Sequence, residues 1–213
     1  MIAVAHKVVS KAEGRVRRLG EIRPGDRALG LAAEHGKDPR LVQAVLDESA
    51  ELLRAERGVL VCRTRSGLVC ANAGIDRSNV GAADELLLLP EDPDRSARRL
   101  REGIAAARGV RPAIVISNSF GRAWRMGQTD VALGAAGLRA LDEWYGRPDA
   151  FGRELRVTSI AVADALAAAA DLARSKDSGE PAVLVRGLER YVEDEDGPGA
   201  ALLRRPAEQD LFT

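Results

Sequence analysis

Asn118, Ser119, Arg122, Arg125 and Asp130 fall within one stretch, "VISNSFGRAWRMGQTD" (Val115 to Asp130), where an apolar run of buried-strand character empties into polar residues. Oxygen donors followed by guanidinium forks suit phosphate and carboxylate groups, and Gly121 lets a ligand approach the backbone. Solvated arginines and a core Trp124 explain the same residues equally well. A second stretch, "NAGIDRSNV" (Asn72 to Val80), sets Asp76 and Asn79 in a Gly-containing turn. Converging carboxylate and amide oxygens of this kind suit a hard cation, although Asx-rich turns also cap themselves. A third, "DAFGRELRVT", carries Asp149, Arg153, Glu154 and Arg156 and reads equally as a charged lead-in to a helix. Lys11, beside Gly14 in "SKAEGR", has the reach for a nucleotide phosphate, and Ser175 and Lys176 in "ARSKDSGEP" are nucleotide-binding candidates in what is otherwise a connection from helix to strand.

Other chemistries are excluded by composition. His6 and His35 are the only histidines, so there is no HExxH, no imidazole-rich metal cage and little material for a Ser-His-Asp triad. Cys62 and Cys70 lack the paired CxxC spacing of thiolate metal or redox sites and read as two buried, reduced thiols. Any metal should therefore be a hard ion held by oxygens. There is no GxxxxGK[ST], so the chain is not a P-loop protein. The 32 basic and 32 acidic residues balance, which leaves no bulk field to recruit nucleic acid or an anionic membrane. Apolar runs are strand-length, which argues against membrane spans and a secretory leader and for the cytoplasm.

With 213 residues, 46% of them hydrophobic, the chain can bury a core without staples. "MIAVAHKVV" reads as a strand and "SKAEGRVRRLGEIRPGD" as loop and irregular structure. Helices are expected from Arg27 to His35, closed by Gly36, and from Pro39 to Arg57, opened by Asp38. A hairpin turning at Arg65-Ser66-Gly67 follows, then a loop over Gly74 to Ala83, a buried strand in "DELLLLP", and a helix announced by Asp92-Pro93. A strand over Ala113 to Ser117 feeds the first stretch, which is expected to be a loop. An Ala-rich helix over Val157 to Arg174 and a last strand in "PAVLVRGL" complete an α+β chain with a mixed, largely antiparallel sheet and flanking helices. Residues 1–188 form the expected domain, and 189–213 a polar, surface-draped tail.

Taken in order, "SKAEGR", "CANAGIDRSNV", "LLLLPEDPDRSARRLR", "VISNSFGRAWRMGQTDVALGAAGL", "DAFGRELRVTSIAVAD" and "PAVLVRGL" resemble the coenzyme F420:L-glutamate ligase family. The resemblance runs from the first residues to Leu188. It implies an α+β homodimer that uses GTP with Mg²⁺ or Mn²⁺, and K⁺ as a further ion, to attach L-glutamate to the phospholactyl deazaflavin precursor F420-0 and to extend it through γ-linked amides. The implied route is an acyl phosphate of the acceptor carboxylate, attacked by the glutamate amine. Metal ions and positioning supply most of the catalysis in such phosphoryl transfer.

By motif, Asp76 matches a metal-binding aspartate, and Asn79 and Lys11 match nucleotide contacts. Asn118 and Ser119 match a second metal-binding segment, usually Asp and Thr. An amide for a carboxylate keeps the oxygen but removes a charge, worth roughly 4 kcal/mol against a unit charge at ~4 Å before solvation. Arg122, Arg125 and Arg153 are candidates, on chemistry alone, for substrate phosphate or carboxylate. Ala165 stands where a carboxylate is common, and the family's N-terminal segment and the fused nitroreductase-like domain of some members are not found. Asn118 keeps two alternatives open: a catalytically impaired relative that binds nucleotide or cofactor, or an amide ligase with a different acceptor.

Overall fold

In the computed structural model, which describes residues 1–78, 80–175 and 177–210, helices and strands alternate irregularly along the chain. The first part contains β1 (Ile2–Ala5), α1 (His6–Ala12), β2 (Val16–Arg18), α2 (Asp26–His35) and α3 (Pro39–Glu48). Then come β3 (Ser49–Glu56), β4 (Val59–Thr64), β5 (Val69–Ala71), β6 (Glu85–Leu87) and α4 (Pro93–Arg108). The rest holds β7 (Ile114–Arg122), β8 (Arg125–Ala136), β9 (Leu141–Glu143), β10 (Ser159–Ala161), α5 (Val162–Leu172) and β11 (Ala182–Leu184). The chain is α+β, and it divides into two compact units: Met1–Ala5 with Pro93–Ser119 and Thr129–Ala207, and His6–Asp92 with Phe120–Gln128 and the C-terminal end. No helix of the described residues is long and apolar enough to cross a membrane.

The first unit is built on a four-stranded sheet in the order β11-β1-β7-β8. It is mixed: β1 runs parallel to β7, with Ile2 opposite Ile114, and antiparallel to β11. Ile114, Val115, Ile116 and Ser117 are all buried, the mark of a central strand covered on both faces. The buried residues of α5 include Ala163, Leu166, Ala167 and Ala170, one stripe at helical spacing, and they join Ala3, Val115 and Ala132 in the core. Small side chains here let the helix lie close to the sheet. Gly134 has the same function at closer range, because a Cβ there would stand 2.2 Å from the backbone carbonyl of Pro93. The segment after Leu188, expected to drape over the surface, instead gives Tyr191 and Ala200 to this core. Two polar anchors draw it in. Arg101, 1% exposed, donates to the carbonyls of Glu193 and Asp194 and to the Asp196 carboxylate, and Asp94 accepts from the backbone of Ala200 and Ala201.

In the second unit α2 and α3 contribute Ala28, Ala32, Val42 and Val45 to a core shared with Leu60 and Cys62 of β4, in the antiparallel sheet β3-β4-β5. Cys62 and Cys70 face each other across β4 and β5 as free, buried thiols, and burial pushes the Cys70 thiol up to about 12. Gly36, left-handed at φ 63°, closes α2 as expected. Asp38 caps α3 by accepting from the Arg40 backbone N–H at 2.8 Å. Its hydrogen bond to the Arg40 side chain holds the carboxyl at about 2, below the ordinary 3.8. A depressed folded-state value means that this contribution is complete above pH 3.8 and fades as pH falls toward 2. Asp38→Ala should accordingly cost about 1 kcal/mol at neutral pH, and the gap in urea midpoint between the two proteins should narrow through that acid window.

Further sequence expectations are corrected. The Ala-rich helix expected from Val157 begins at Val162, after the short strand β10. The helix expected to run to Arg57 ends at Glu48, where Ser49 turns to extended backbone and its hydroxyl donates to the Val45 carbonyl. Residues 49–56 pair with β4 instead, through a two-residue turn in which Arg57 and Gly58 both have positive φ. The strand expected through "MIAVAHKVV" stops at Ala5, and Lys11 lies in the last turn of α1 instead of in a loop. The expected loop after Ser117 is a β-hairpin, with Asn118 and Ser119 inside β7.

Candidate functional site

Asp76 stands where β5 leaves the sheet of the second unit. Asn72, Ala73 and Gly74 take three successive positive φ values, and Gly74 is pressed so closely on Leu89 that a Cβ would lie 2.6 Å from its side chain. Asp76 is then fixed by a backbone bridge to Leu87, donating and accepting at 2.9 Å. One carboxylate oxygen accepts from the Ser78 backbone N–H at 2.6 Å, and the other lies 2.6 Å from the Lys7 ammonium. Lys7 in turn donates to the Ser78 carbonyl and hydroxyl. Partial burial raises the Asp76 pKa, but the hydrogen bonds from Lys7 and Ser78 outweigh it and leave the carboxyl below its ordinary range. The result is a half-buried carboxylate that already holds a cationic group.

Lys7 was missed in the sequence because its segment reads as a strand. On a helix, Lys7 and Lys11 are four residues apart and share a face, which is the signal that would have found it. Lys11 itself is exposed. Asn79 lies outside the described residues, as does Lys176.

In the first unit, β7 presents Ser117 and Ser119 to one carboxylate. Ser117 Oγ donates to Asp130 Oδ2 and Ser119 Oγ to Asp130 Oδ1, both at 2.7 Å. Arg174 closes the group, with Nη2 2.8 Å from Asp130 Oδ2. Asp130 is 3% exposed and buried with its partner. Because Ser117 and Ser119 reach the same group, the intervening Asn118 points to the opposite face of the strand. Asn118 and Ser119 therefore serve different neighbours.

The arginine candidates are on the surface. Arg122 Nη2 donates to the Met126 carbonyl at 2.8 Å across the hairpin tip, and Arg125 is exposed at the start of β8 beside Trp124 and Met126, which are 82% and 95% exposed. Arg153, in the other unit, is exposed on a tight turn rather than a helix lead-in. Asp149 organises that turn by accepting from the backbone N–H groups of Phe151 and Arg153. Ser175 is exposed, and its carbonyl accepts from the backbone and hydroxyl of Ser178.

Among the described residues no three or more His, Cys, Asp or Glu side chains gather as a metal cluster. Oxygen donors of mixed charge, with few carboxylates, suit the small divalent ions that keep waters and share substrate phosphates, and not an all-protein cage. In that sense Asp76, Asn118 and Ser119 are compatible with Mg²⁺ or Mn²⁺.

A family model described as F420-0:Gamma-glutamyl ligase matches residues 1–187. The chain is 43% identical over 215 residues to the coenzyme F420:L-glutamate ligase of Methanopyrus kandleri, and 46% identical over 215 residues to that of Methanothermobacter thermautotrophicus. In both cases the match covers 100% of this chain and 84% of the relative. It is 47% identical over 189 residues to the coenzyme F420:L-glutamate ligase of Archaeoglobus fulgidus, covering 88% of this chain and 75% of the relative.

Proposed function

The chain belongs to the F420-0:gamma-glutamyl ligase family, and from that premise we propose that it joins L-glutamate to the deazaflavin precursor F420-0, using GTP. The observation that carries the reading is identity of 43% and more to named ligases along the whole chain. The half-buried Asp76 carboxylate, kept charged by Lys7 and Ser78, adds a group suited to a cation beside phosphates. In this reading an acceptor carboxylate oxygen attacks the terminal phosphorus of GTP and GDP leaves. The glutamate amine then attacks the acyl carbon, loses a proton and expels inorganic phosphate, which forms the amide.

Asp76, Asn118 and Ser119 are each residues that would hold a Mg²⁺ or Mn²⁺ ion, whose chemistry would be to offset phosphate charge. Lys7 and Lys11, on one face of α1, supply ammonium groups for the nucleotide, with Asn79, Ser175 and Lys176 as further contacts. Arg122, Arg125 and Arg153, exposed on the surface, are the groups offered to the carboxylates of glutamate or the phosphodiester of the acceptor. Alanine at any of them that leaves both KM values and kcat unchanged removes that residue from the set. A homodimer in the cytoplasm, with K⁺ as a third ion, completes the proposal.

The test is to incubate the chain with GTP, Mn²⁺, F420-0 and L-glutamate and to weigh the deazaflavin. Mass increments of one glutamyl unit, with equal GDP and phosphate released, are the expected result. Nucleotide binding by calorimetry with no increment would replace the ligase by a binding relative, the reading that Asn118 favours.

A further inference from the structure

We propose that Asp130, held by Arg174, is a positioning residue that takes the hydroxyl hydrogen of Ser119 and so presents the Ser119 oxygen as an acceptor to a hard divalent cation. This rests on the reading of Asn118 and Ser119 as a metal-binding segment and says how the segment is prepared.

A serine hydroxyl has one hydrogen and two lone pairs. Left to itself it rotates, and it can meet a cation hydrogen-first. Here the hydrogen is committed to Asp130 Oδ1 at 2.7 Å, so every other contact of the oxygen is made as an acceptor. Asp130 is not the ligand itself. Of the roughly four lone-pair directions of a carboxylate, three are taken by Ser117, Ser119 and Arg174. Its charge is offset by the Arg174 guanidinium, and at 3% exposure it is closed off from solvent. Ser117 shows the contrast within the same network. It donates to the same carboxylate but is 1% exposed, whereas Ser119 is half-buried, farther along β7 toward the hairpin tip. Outer hydrogen bonds that orient a ligand in this way typically set metal affinity by about 10- to 100-fold.

The isosteric change Asp130→Asn separates this role from simple packing. Arg174 and Ser117 both donate at the Oδ2 position, so the amide oxygen must stay there and the amide nitrogen falls at the Oδ1 position. It then donates to Ser119, whose hydrogen is turned outward. Mn²⁺ binding in the presence of GDP, read by electron paramagnetic resonance of the free ion, is expected to weaken by about 10- to 100-fold in Asp130→Asn. Ser119→Ala should weaken it at least as much, and Asp130→Asn should add nothing in the Ser119→Ala background. Ser117→Ala, which also removes a hydrogen bond to Asp130 but leaves the Ser119 hydrogen in place, should bind Mn²⁺ close to the parent protein. Folded Asp130→Asn with parent-like affinity overturns the proposal, and so does parent-like affinity in Ser119→Ala, which does not depend on Asp130→Asn folding. A parent protein that binds no Mn²⁺ with GDP overturns the metal reading itself along with it.

Discussion

Asp94→Ala should lose about 4 kcal/mol of stability or more, on the order of 10 °C in melting temperature for a chain of this size. Asp94 is 6% exposed in the first turn of α4. Its Oδ1 accepts from the backbone N–H of Ala135 at 2.8 Å and of Ala200 at 2.7 Å, and its Oδ2 from Ala201 at 3.2 Å. One carboxylate thus joins a helix start, the edge strand β8 and a segment more than a hundred residues later in sequence. Removing it strands three N–H donors, two of them in buried bonds, at about 1–3 kcal/mol each. Water can reach the Ala201 donor more readily than the other two, which keeps the estimate toward the lower end. No compensating collapse is available, because Gly199 already brings the backbone so close that a Cβ would lie 2.2 Å from Asp94 Oδ1. Asp94→Asn should fall between the two proteins: its oxygen can keep Ala135 and Ala200, while its amide nitrogen meets the Ala201 N–H donor to donor. Denaturant midpoints in the order parent, Asn, Ala would establish the anchor. Equal midpoints for Asn and parent would show that Oδ2 contributes nothing.

This anchor illustrates what the sequence discloses and what it hides. Local devices were legible because they act within a few residues: Gly36 after α2, Asp38-Pro39 before α3, the Ser66-Gly67 turn and Asp92-Pro93 before α4. The end of α3 was not legible. Leu52 and Leu53 extend its apolar spacing, while register shifts between Ser49 and Glu51 and between Leu52 and Arg54 break the alternation that would have announced β3. The tail was misread because its composition is polar, and what draws it inward is the buried Arg101 and Asp94, whose partners are contributed by distant segments. At the candidate site, Asp76, Asn118 and Ser119 stood out as oxygen donors in named motifs. Asp130 was visible as a residue but not as the group that organises two serines, since only strand pairing and Arg174 beyond α5 bring those together. Lys7 was hidden by a helix mistaken for a strand.

Asn118→Asp should tighten Mn²⁺ binding in the presence of GDP by about 10- to 100-fold. The full interaction of a new unit charge at ~4 Å is roughly 4 kcal/mol at an effective dielectric near 20, and the half-buried setting of residue 118 returns part of it to solvent. The strand geometry makes the substitution clean. Residue 118 faces away from Asp130, so a second carboxylate does not compete for the hydrogen bonds of Ser117, Ser119 and Arg174. The sign of the result carries more than its size. An asparagine side chain can turn its oxygen to a cation or its amide hydrogens to a phosphate, and the two uses respond oppositely to an added negative charge. Tighter Mn²⁺ binding with GDP affinity held or improved places residue 118 at the cation. Weaker GDP binding in the absence of any metal places it against the phosphates, because a carboxylate there is repelled and can donate nothing. In that case the amide is the native chemistry of this position, a phosphate donor, and residue 118 is not a ligand of the ion.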